Sequence, residues 1–528
     1  MLCALACAPL LCGLSSAHAQ LRIVSYNTLT GANPGVQTAR PTAATVLEAI
    51  GLEAVNGIAK PIDVMLLQEQ FSTEISTQSF VDVLNSIYGA GTYARSTVNA
   101  LTSDFERRGG APAMLYNTQT VTLIAEQRFG TVNGSNQARS AMRYQLRPVG
   151  YDASADFYAY SNHYKAGSTT NDKTRRNIEA VAVRNNANAL GEGAHLIFAG
   201  DYNIQSSGEA MYQTLLAAGA GQANDPLNAS EVAGQPVTWL DNNAYRSIHT
   251  QNPAGPMDDR FDFQLVSGEM LDGEGMSIIP GSYRAFGNNG THSLNGAITT
   301  GSGASATVLN ALRQNSDHLP VVADYQLPAK MGVEFVATPP IVTTGASISL
   351  DVTISNIANV VAVNGADELD YTLSVAGDLF GGATGIDFAL GGGNAHQVTL
   401  DTATLGVKSG VITVSSSSQG AANSLVTIPV SYQVIAEFLA ADFDENGYVD
   451  GDDLATWKTN FGLASGATKE LGDANLDETI DGSDFLLWQR QFTAAGASPA
   501  AVGVPEPASA VLLCCGALGL ALRRRRRA

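Results

Sequence analysis

Six short apolar segments between residues 21 and 325 carry carboxylate, amide or imidazole side chains at their ends. Their lengths and their content of branched and aromatic residues are typical of β-strands. The polar groups stand at or near the C-terminal end of an apolar run, where a sheet can gather them in one cleft. Six such endings therefore constrain the chain to a fold that brings them together. The segments are Ser25–Thr28, Asp63–Glu69, Tyr160–Lys165, Ile197–Asn203, Arg260–Ser267, and Asn315–Pro320 with the following Val321–Tyr325.

Strand-type and helix-type runs alternate over residues 20–328, which predicts an α/β sandwich. The predicted helices are 42–58, 78–87, 174–190 and 210–217. The predicted strands are 21–26, 64–68, 113–116, 157–161, 195–199 and 261–266.

The last segment pairs Asp317 with His318 at the mouth of a strand. A hard oxygen ligand beside a group that titrates near neutrality suits metal-assisted hydrolysis of a phosphoester. A single Asp-His pair is more often an ordinary polar strand edge. The interpretation as chemistry depends on the five earlier segments, which supply further carboxylates and a second histidine.

Four motifs together resemble the endonuclease/exonuclease/phosphatase superfamily, whose fold is DNase I-like. They are Gln68-Glu69, Asn162-His163-x-Lys165, Gly200-Asp201-x-Asn203 and Ser316-Asp317-His318-x-Pro320. The resemblance covers residues 20–328. It implies a four-layered α/β sandwich of two mainly antiparallel sheets flanked by helices.

The resemblance also implies a role for each site residue. Glu69 would be the main Mg²⁺ ligand, with Mn²⁺ as the alternative ion, Asn27 would support it, and Asp317 would be a second metal-site carboxylate. Asp201 would orient or activate the attacking water. The phosphate would be contacted by Asn203, His163 and, by analogy with relatives, Arg139. His318 would be a general base or phosphate stabiliser, oriented by Asp262, and such a partner raises an imidazole pKa.

Asn162-His163-Tyr164-Lys165 resembles a motif of secreted bacterial nucleases in this superfamily, which favours nucleic acid as substrate. Ala166-Gly167-Ser168 follows it, where the subgroup usually has Ser-Lys-Gly, so one cation is missing. The net charge of -20 also argues against a dedicated nucleic-acid binder. Other members of the superfamily cleave phospholipids and small phosphoesters, and these substrates remain open.

Residues 329–436 are rich in Val, Thr, Ser and Gly and alternate polar with apolar positions, which predicts an immunoglobulin-like β-sandwich. With one histidine and no clustered chemistry, it is interpreted as a spacer or binding module.

Residues 437–494 contain 13 acidic and 3 basic side chains, half of the net negative charge of the chain. Two loops there repeat the oxygen spacing of EF-hands, with Asp in place of Glu at position 12, and each precedes a helix-like stretch. The duplication resembles a type I dockerin, a small α module, and implies Ca²⁺ and a cohesin-type partner. Position 6 is Gly447 in the first loop and Glu478 in the second. The predicted Ca²⁺ ligands are Asp442, Asp444, Asn446, Tyr448, Asp450, Asp453, Asp473, Asn475, Asp477, Thr479, Asp481 and Asp484.

Both chain ends carry targeting signals. Residues 1–19 are apolar and end in Ala17-His18-Ala19, which predicts a signal peptide and export. After a linker at 495–503, residues 504–528 combine Pro-Glu-Pro, an apolar run and Arg523–Arg527. This resembles a PEP-CTERM sorting tail and implies processing by an exosortase at a bacterial inner membrane. A simple tail anchor is the alternative.

All five cysteines lie in these two terminal segments, so the processed chain is expected to contain no disulfide. The combined prediction is an exported metal-dependent phosphodiester hydrolase, extracellular or at the cell surface. The alternative from a different class is a noncatalytic surface or matrix binding protein attached through the dockerin-like module.

Overall fold

A computed structural model describes residues 20–30, 36–98, 110–130, 139–436 and 439–492. The predicted signal peptide, linker and sorting tail, with all the cysteines, lie outside these residues. The described chain forms two compact units, one of residues 20–340, 347–401 and 407–432, and one of the remainder. No helix in the described part of the chain combines the length and the apolar composition that a membrane crossing requires.

The N-terminal part of the first unit alternates strands and helices. Its strands are β1 Leu21–Asn27, β2 Val64–Gln70, β3 Tyr93–Arg95, β4 Ala111–Asn117, β5 Val121–Phe129, β6 Ala141–Pro148, β7 Phe157–His163, β8 His195–Asp201, β9 Glu231–Val232, β10 Gln235–Pro236, β11 Asp262–Val266, β12 Arg284–Ala285 and β13 Val321–Tyr325. Its α-helices are α1 Ala43–Leu52, α2 Gln78–Tyr88, α3 Thr170–Asn188, α4 Ala210–Leu216 and α5 Ala306–Asn315.

Two sheets form the centre of this part. One has the strand order β12-β13-β1-β2-β4-β3 and the other β11-β8-β7-β6-β5. Each sheet contains one parallel pair, β1 with β2 and β7 with β8, among antiparallel neighbours. A buried apolar cluster that includes Ile23, Leu66, Met142 and Ile197 joins the inner faces of the two sheets.

Helices cover the outer face of each sheet. Val46 and Leu47 of α1, Leu84 of α2 and Leu312 of α5 pack with the first sheet in one core cluster. Helices α3 and α4 pack with the second sheet in another, through residues such as Val183 and Leu215. The predicted four-layered α/β sandwich is therefore confirmed, because the layers are stacked in the order helices, sheet, sheet, helices.

The predicted helix over 42–58 ends earlier, at Leu52. Asn56 and Gly57 both have positive φ and form a tight turn in which Val55 pairs with Ile58. Asn-Gly is the preferred pair for such a turn, and it cannot continue a helix. Strands β5 and β6 and helix α5 were not expected from the sequence.

The C-terminal part of the first unit is rich in β-structure. A four-stranded sheet has the order β14-β16-β20-β18, and β22, β21, β17 and β19 are neighbours in another. Tyr371 Oη lies 2.8 Å from His396 Nε2, which links a strand of one sheet to a strand of the other. The strands of this part are β14 Met331–Phe335, β16 Ser349–Asn356, β17 Leu369–Gly377, β18 Leu379–Phe380, β19 Gly382–Asp387, β20 Asn394–Leu400, β21 Gly406–Ser416 and β22 Leu425–Ile435. Strand β15 Ile341–Thr343, Gly406 of β21 and residues 433–435 of β22 belong to the second unit.

This β-rich part is hydrogen-bonded to the α/β part through the backbone. Leu327 N donates to Gly365 O, Asp367 N donates to Leu327 O, and Tyr151 Oη donates to Pro328 O at 2.8 Å. Because main-chain groups of both parts take part in these hydrogen bonds, the β-rich part packs against the α/β part within the first unit.

In the second unit, residues 433–435 of β22 pair in parallel with β15. The unit also contains helices α6 Gly451–Asn460 and α7 Gly482–Gln491. These two helices are related by the duplication, since the indole of Trp457 donates to Asp481 O and that of Trp488 donates to Asp450 O.

Candidate active site

The two parallel strand pairs place four predicted site residues at one edge of the sandwich. Asn27 ends β1, and Glu69 lies at the end of the neighbouring β2; His163 and Asp201 end β7 and β8, where they are register partners. Carboxyl ends of parallel strands meet at one edge of a sheet. Four segments far apart in sequence therefore reach one cleft.

Asp262 and His318 arrive at this edge from the opposite direction. Asp262 is the first residue of β11, which runs antiparallel to β8 and pairs Asp262 with Asp201. His318 precedes β13, which runs antiparallel to β1. The prediction that every polar group lies at or near the C-terminal end of its strand is therefore wrong for Asp262 and His318, because antiparallel strands present their N-terminal ends at this edge.

The backbone at Glu69 is unusual. Its φ is +56°, and the pairing of β2 with β4 shifts register between Leu67 and Gln70. A β-bulge re-aims the side chain at such a point. A Cβ on Gly110 would lie only 2.4 Å from Glu69 Cα, so a glycine is required there.

Asn27 bridges the two carboxylates closest to it. Its Nδ2 donates to Glu69 Oε1 at 3.2 Å and to Asp201 Oδ2 at 3.0 Å. His163 Nε2 lies 3.7 Å from the same Glu69 oxygen and 3.4 Å from the same Asp201 oxygen. One amide and one imidazole thus hold two acidic groups, one from each sheet, side by side.

Asp262 and His318 form a buried ion pair. Nδ1 of His318 lies 2.7 Å from Asp262 Oδ2, and its Nε2 lies 3.7 Å from Asp201 Oδ2. Burial alone would lower the pKa of His318, but the charges of Asp262 and Asp201 outweigh it and raise that pKa well above the ordinary value. The histidine therefore carries its proton at neutral pH and presents Nε2–H toward the cleft.

The remaining carboxylates are crowded and poorly solvated. Burial, together with the charges of Asp262 and Glu69, raises the pKa of Asp201 to about 7 although the charge of His318 acts in the opposite direction. Burial also raises the pKa of Glu69.

A divalent cation fits these residues. The second carboxylate oxygen of Glu69, Oε2, is buried and has no hydrogen-bond partner among the described residues. Ligand atoms of Glu69, His163 and Asp201 lie within 4.8 Å of one another. Two carboxylates and few other donors are the protein contribution that Mg²⁺ usually takes at a phosphate. The uncompensated acidic groups would be neutralised by such an ion.

Asn203, Asp317 and Arg139 lie at the border of this cleft. Asn203, at φ +52°, donates through Nδ2 to Tyr164 O at 3.1 Å and lines a cavity of about 210 Å³ that also includes Phe261. Asp317 is half-buried, and its charge helps to raise the pKa of Glu69. In the described part of the chain, it belongs to neither group of converging donor atoms at this edge.

Arg139 is anchored on the backbone rather than extended into solvent. Its Nη1 donates to Tyr164 O at 2.7 Å and to His163 O at 3.3 Å. The same guanidinium acts on Glu69 electrostatically and lowers its pKa against the effect of burial. It therefore lies beside the predicted phosphate position, and its contact with phosphate remains a prediction.

Sequence reasoning missed two residues that support the site. Thr250 Oγ1 accepts from the backbone N–H groups of Phe261 and Asp262, and Thr250 O accepts from Leu319 N. Thr250 thus holds both strands that carry the Asp262–His318 pair. It lies in an irregular loop, where no periodic pattern could have indicated it. The second residue, Glu179, lies on α3 and is buried.

The two acidic loops of the second unit have the same internal geometry. In the first, Asp442 Oδ2 accepts from Gly447 N at 2.8 Å and Asp453 Oδ1 accepts from Phe443 N at 2.6 Å. In the second, the equivalent Asp473 and Asp484 accept from the same relative positions.

Ligand atoms of Asp442, Asp444 and Asp453 lie within 4.8 Å of one another. At position 6, Gly447 has φ +90° and Glu478 has φ +66°, so both loops turn through the left-handed region there. The side chains of the first loop could thus hold a cation, and the second loop places a non-glycine residue in a conformation that favours glycine.

Comparisons with known proteins find relatives among solved structures alone. No protein-family model matches the sequence, and no curated protein matches it. The human Nocturnin catalytic domain with bound sulfate is 16% identical, covers 59% of this chain and 96% of that chain, and gives a TM-score of 0.38. An endonuclease/exonuclease/phosphatase family protein from Bacteroides thetaiotaomicron is 15% identical over 58% of this chain and 95% of that chain, with a TM-score of 0.35.

A third structure is that of D. rerio TDP2 complexed with a single strand DNA product. It is 16% identical over 58% of this chain and 99% of that chain, with a TM-score of 0.35. Likenesses of this size do not determine what the present chain binds or cleaves. Its own side chains are the basis for the function proposed next.

Proposed function

We propose that this protein is an exported, Mg²⁺-dependent phosphodiester hydrolase, and that its substrate is nucleic acid, which makes it an extracellular endonuclease. The single observation that carries the proposal is the convergence of Glu69, His163, Asp201 and the Asp262–His318 pair at one sheet edge. A cation site beside an imidazolium and a carboxyl with a pKa near neutrality is what hydrolysis of a phosphodiester requires.

Glu69 would be the main ligand of the cation, with Asn27 orienting its carboxylate and Asp317 adding negative charge from the border of the cleft. When bound, Mg²⁺ or Mn²⁺ would neutralise phosphate charge and make water more acidic. The residues around it perform the rest of the chemistry.

Asp201 is suited to remove the proton of the attacking water. Its pKa of about 7 means that its ionised form is present at neutral pH and is basic enough to accept a proton. As the water oxygen bonds to phosphorus, its proton passes to Asp201, and the bond from phosphorus to the leaving oxygen breaks.

His318 is suited to stabilise the phosphoryl group. With a pKa raised well above its usual value, it is an imidazolium that can donate through Nε2 to a phosphate oxygen or to the leaving oxygen. Between the two roles that the resemblance implies, this charge state favours the phosphate stabiliser over the general base. His163 and Asn203 supply further donors at the same edge.

Two alternatives remain as outcomes of the test. A cavity of about 210 Å³ at the border of the cleft is lined by both Lys173 and Glu209, and one alternative substrate is a smaller phosphoester or a phospholipid head group. A noncatalytic surface protein attached through the dockerin-like module is the alternative from a different class.

The accessory segments complete the proposal. The paired loops would bind Ca²⁺ through their carboxylates and present the two helices to a cohesin-type partner. The signal peptide would direct export, and the tail would be processed by an exosortase-like enzyme at the membrane.

The test is cleavage of plasmid DNA and of RNA by the full chain with Mg²⁺, beside an EDTA control. The His318→Ala variant should lose cleavage. The His195→Ala variant should keep it, because His195 begins β8 at the end opposite to Asp201 and to the site. Hydrolysis of bis(p-nitrophenyl) phosphate or sphingomyelin without nucleic-acid cleavage would change the substrate and keep the mechanism. The absence of hydrolysis of every phosphoester tested would refute the proposal.

A further inference from the structure

Glu179 is a buried carboxylate that the chemistry described above does not use. It lies on α3, behind the site, with 2% of its surface exposed. Its Oε1 accepts from Arg139 N at 2.7 Å, and its Oε2 accepts from Lys165 N at 2.8 Å. Each carboxylate oxygen therefore holds a backbone N–H of a different segment.

These two segments are the ones that flank His163. Lys165 follows His163 by two residues at the end of β7, and Arg139 lies just before β6, the neighbouring strand. Arg139 closes the arrangement by donating its Nη1 to the carbonyls of His163 and Tyr164. We call Glu179, Arg139 and the backbone of residues 163–165 the Glu179 clamp.

Other contacts fix the same short stretch. Tyr164 N donates to Asp201 O at 2.9 Å, Asn203 Nδ2 donates to Tyr164 O, and Arg176 Nη1 donates to Lys165 O at 2.7 Å. The polar backbone groups after His163 are thus tied to three neighbouring elements. A fixed backbone leaves the imidazole of His163 little freedom to leave its position near Glu69 and Asp201.

We propose, on the basis of the function proposed above, that Glu179 is a positioning residue for the hydrolytic site. Through the clamp it holds His163 and Arg139 in register with the metal-site carboxylates without touching the substrate. A displacement of about 1 Å at a catalytic group can lower a rate about a hundredfold, so a clamp of this kind has a measurable effect on turnover.

The chemistry of the clamp requires an acid rather than an amide at position 179. Both side-chain oxygens accept, so the Nε2 amino group of glutamine would meet a backbone N–H as donor against donor. Glu179→Gln therefore preserves the shape and volume of the side chain but breaks one of the two hydrogen bonds. Aspartate is one methylene shorter and is not expected to reach both partners.

A matched control lies at the other end of β7, the strand that ends in His163. Asp156 precedes β7, and its carboxylate accepts from Gln145 Nε2 at 2.7 Å and from Arg147 Nε at 2.5 Å. Asp156→Asn removes a similar largely buried charge next to the start of β7, away from the site. It reports what loss of a strand-anchoring carboxylate does through stability alone.

The experiment uses the full chain and compares wild type with Glu179→Gln and Asp156→Asn. With bis(p-nitrophenyl) phosphate and Mg²⁺, Glu179→Gln should lower kcat by about 10- to 100-fold with little change in KM. Asp156→Asn should keep kcat within about twofold. The assay is run at about pH 8 because burial raises the pKa of Glu179 to about 7, against the effect of its backbone donors, so that the wild-type carboxylate is ionised.

A second readout does not depend on activity. The ring ¹⁵N and ¹H resonances of His163, assigned with a His163→Ala spectrum, should move or broaden in Glu179→Gln and stay in place in Asp156→Asn. If Glu179→Gln keeps both the resonances and kcat, or if both variants lose kcat in proportion to their Tm, the positioning role is refuted. If wild type hydrolyses no phosphoester, the proposed function fails, and the resonances alone then decide whether the clamp positions His163.

Discussion

Asp262→Asn separates the charge of the Asp262–His318 pair from its hydrogen bond. In the wild-type protein, His318 Nδ1 lies 2.7 Å from Asp262 Oδ2. Asparagine is almost the same size as aspartate and keeps an acceptor oxygen for this nitrogen. Only the negative charge is lost. The variant therefore tests whether that charge keeps His318 protonated.

The size of the effect follows from the geometry. Two charges about 4 Å apart interact by about 4 kcal/mol at the effective dielectric constant suited to protein sites. The pKa of His318 should therefore fall in Asp262→Asn, because the protonated imidazole loses this attraction. The charge of Asp201, 3.7 Å from Nε2, remains and keeps the shift from being complete.

The sign of the pH dependence follows from the raised pKa of His318. The pair stabilises the fold fully below the ordinary histidine pKa, and this stability is lost as the pH rises through the raised value. In Asp262→Asn the alkaline limb of the kcat profile should move to lower pH, because the imidazolium loses its proton at a lower pH.

The assay is a ¹⁵N NMR titration of His318 in the metal-free full chain, with the pH profile of kcat measured in parallel. Circular dichroism establishes that Asp262→Asn is folded. An unchanged His318 pKa in a folded variant would refute the electrostatic reasoning. A lowered pKa with an unchanged alkaline limb would show that the imidazolium is not the form that acts.

Three further predictions concern the metal site, a buried ion pair and the acidic loops. Glu69→Gln should abolish the rise in Tm that Mg²⁺ gives wild type, which corresponds to about 2.7 kcal/mol at an ion concentration of 100 times Kd; an equal rise in both proteins would exclude Glu69 as the main ligand. Asp225→Asn breaks the buried pair with Arg260, 2.7 Å apart, and should cost about 3–5 kcal/mol in urea unfolding at neutral pH. Since the Arg260 charge outweighs burial and lowers the pKa of Asp225, that difference should persist above the ordinary Asp pKa and close as the pH falls through the lowered value; a gap that widens in acid would contradict it. Glu478→Gly relieves a left-handed φ of +66° and should raise the Ca²⁺ affinity of the second loop about fivefold by calorimetry, whereas Gly447→Ala should weaken the first loop; no change in either would show that position 6 does not limit binding.

Much of the site was predictable because strand ends are local features. Glu69, His163 and Asp201 each follow an apolar run, and the run and its polar ending are both visible in one sequence. The helix predicted over 42–58 was too long for an equally local reason. The turn at Asn56-Gly57 prevents the helix from continuing, although the apolar spacing around it is helical. Boundaries depend on such single turns more than on periodicity.

Strands β5 and β6 and helix α5 could not be predicted with the same ease. The outward face of β5 is largely exposed, so its pattern lacks a continuous apolar signal, and the neighbouring β6 alternates buried with half-buried residues. Their partners across the sheet supply the hydrogen bonds that make them strands. Context of this kind is not encoded in a short window of sequence.

The amino-acid sequence by itself indicated the class of chemistry that is proposed, because six oxygen-ligand or histidine side chains at strand ends occur in order. It also determined the duplication of the acidic loops, which is a matter of spacing alone. Only the tertiary structure decided the charge state of His318, the bulge that aims Glu69, and the contribution of Thr250 and Glu179. These depend on burial and on distances between residues remote in sequence, and a pKa or a hydrogen bond exists only after folding has set those distances.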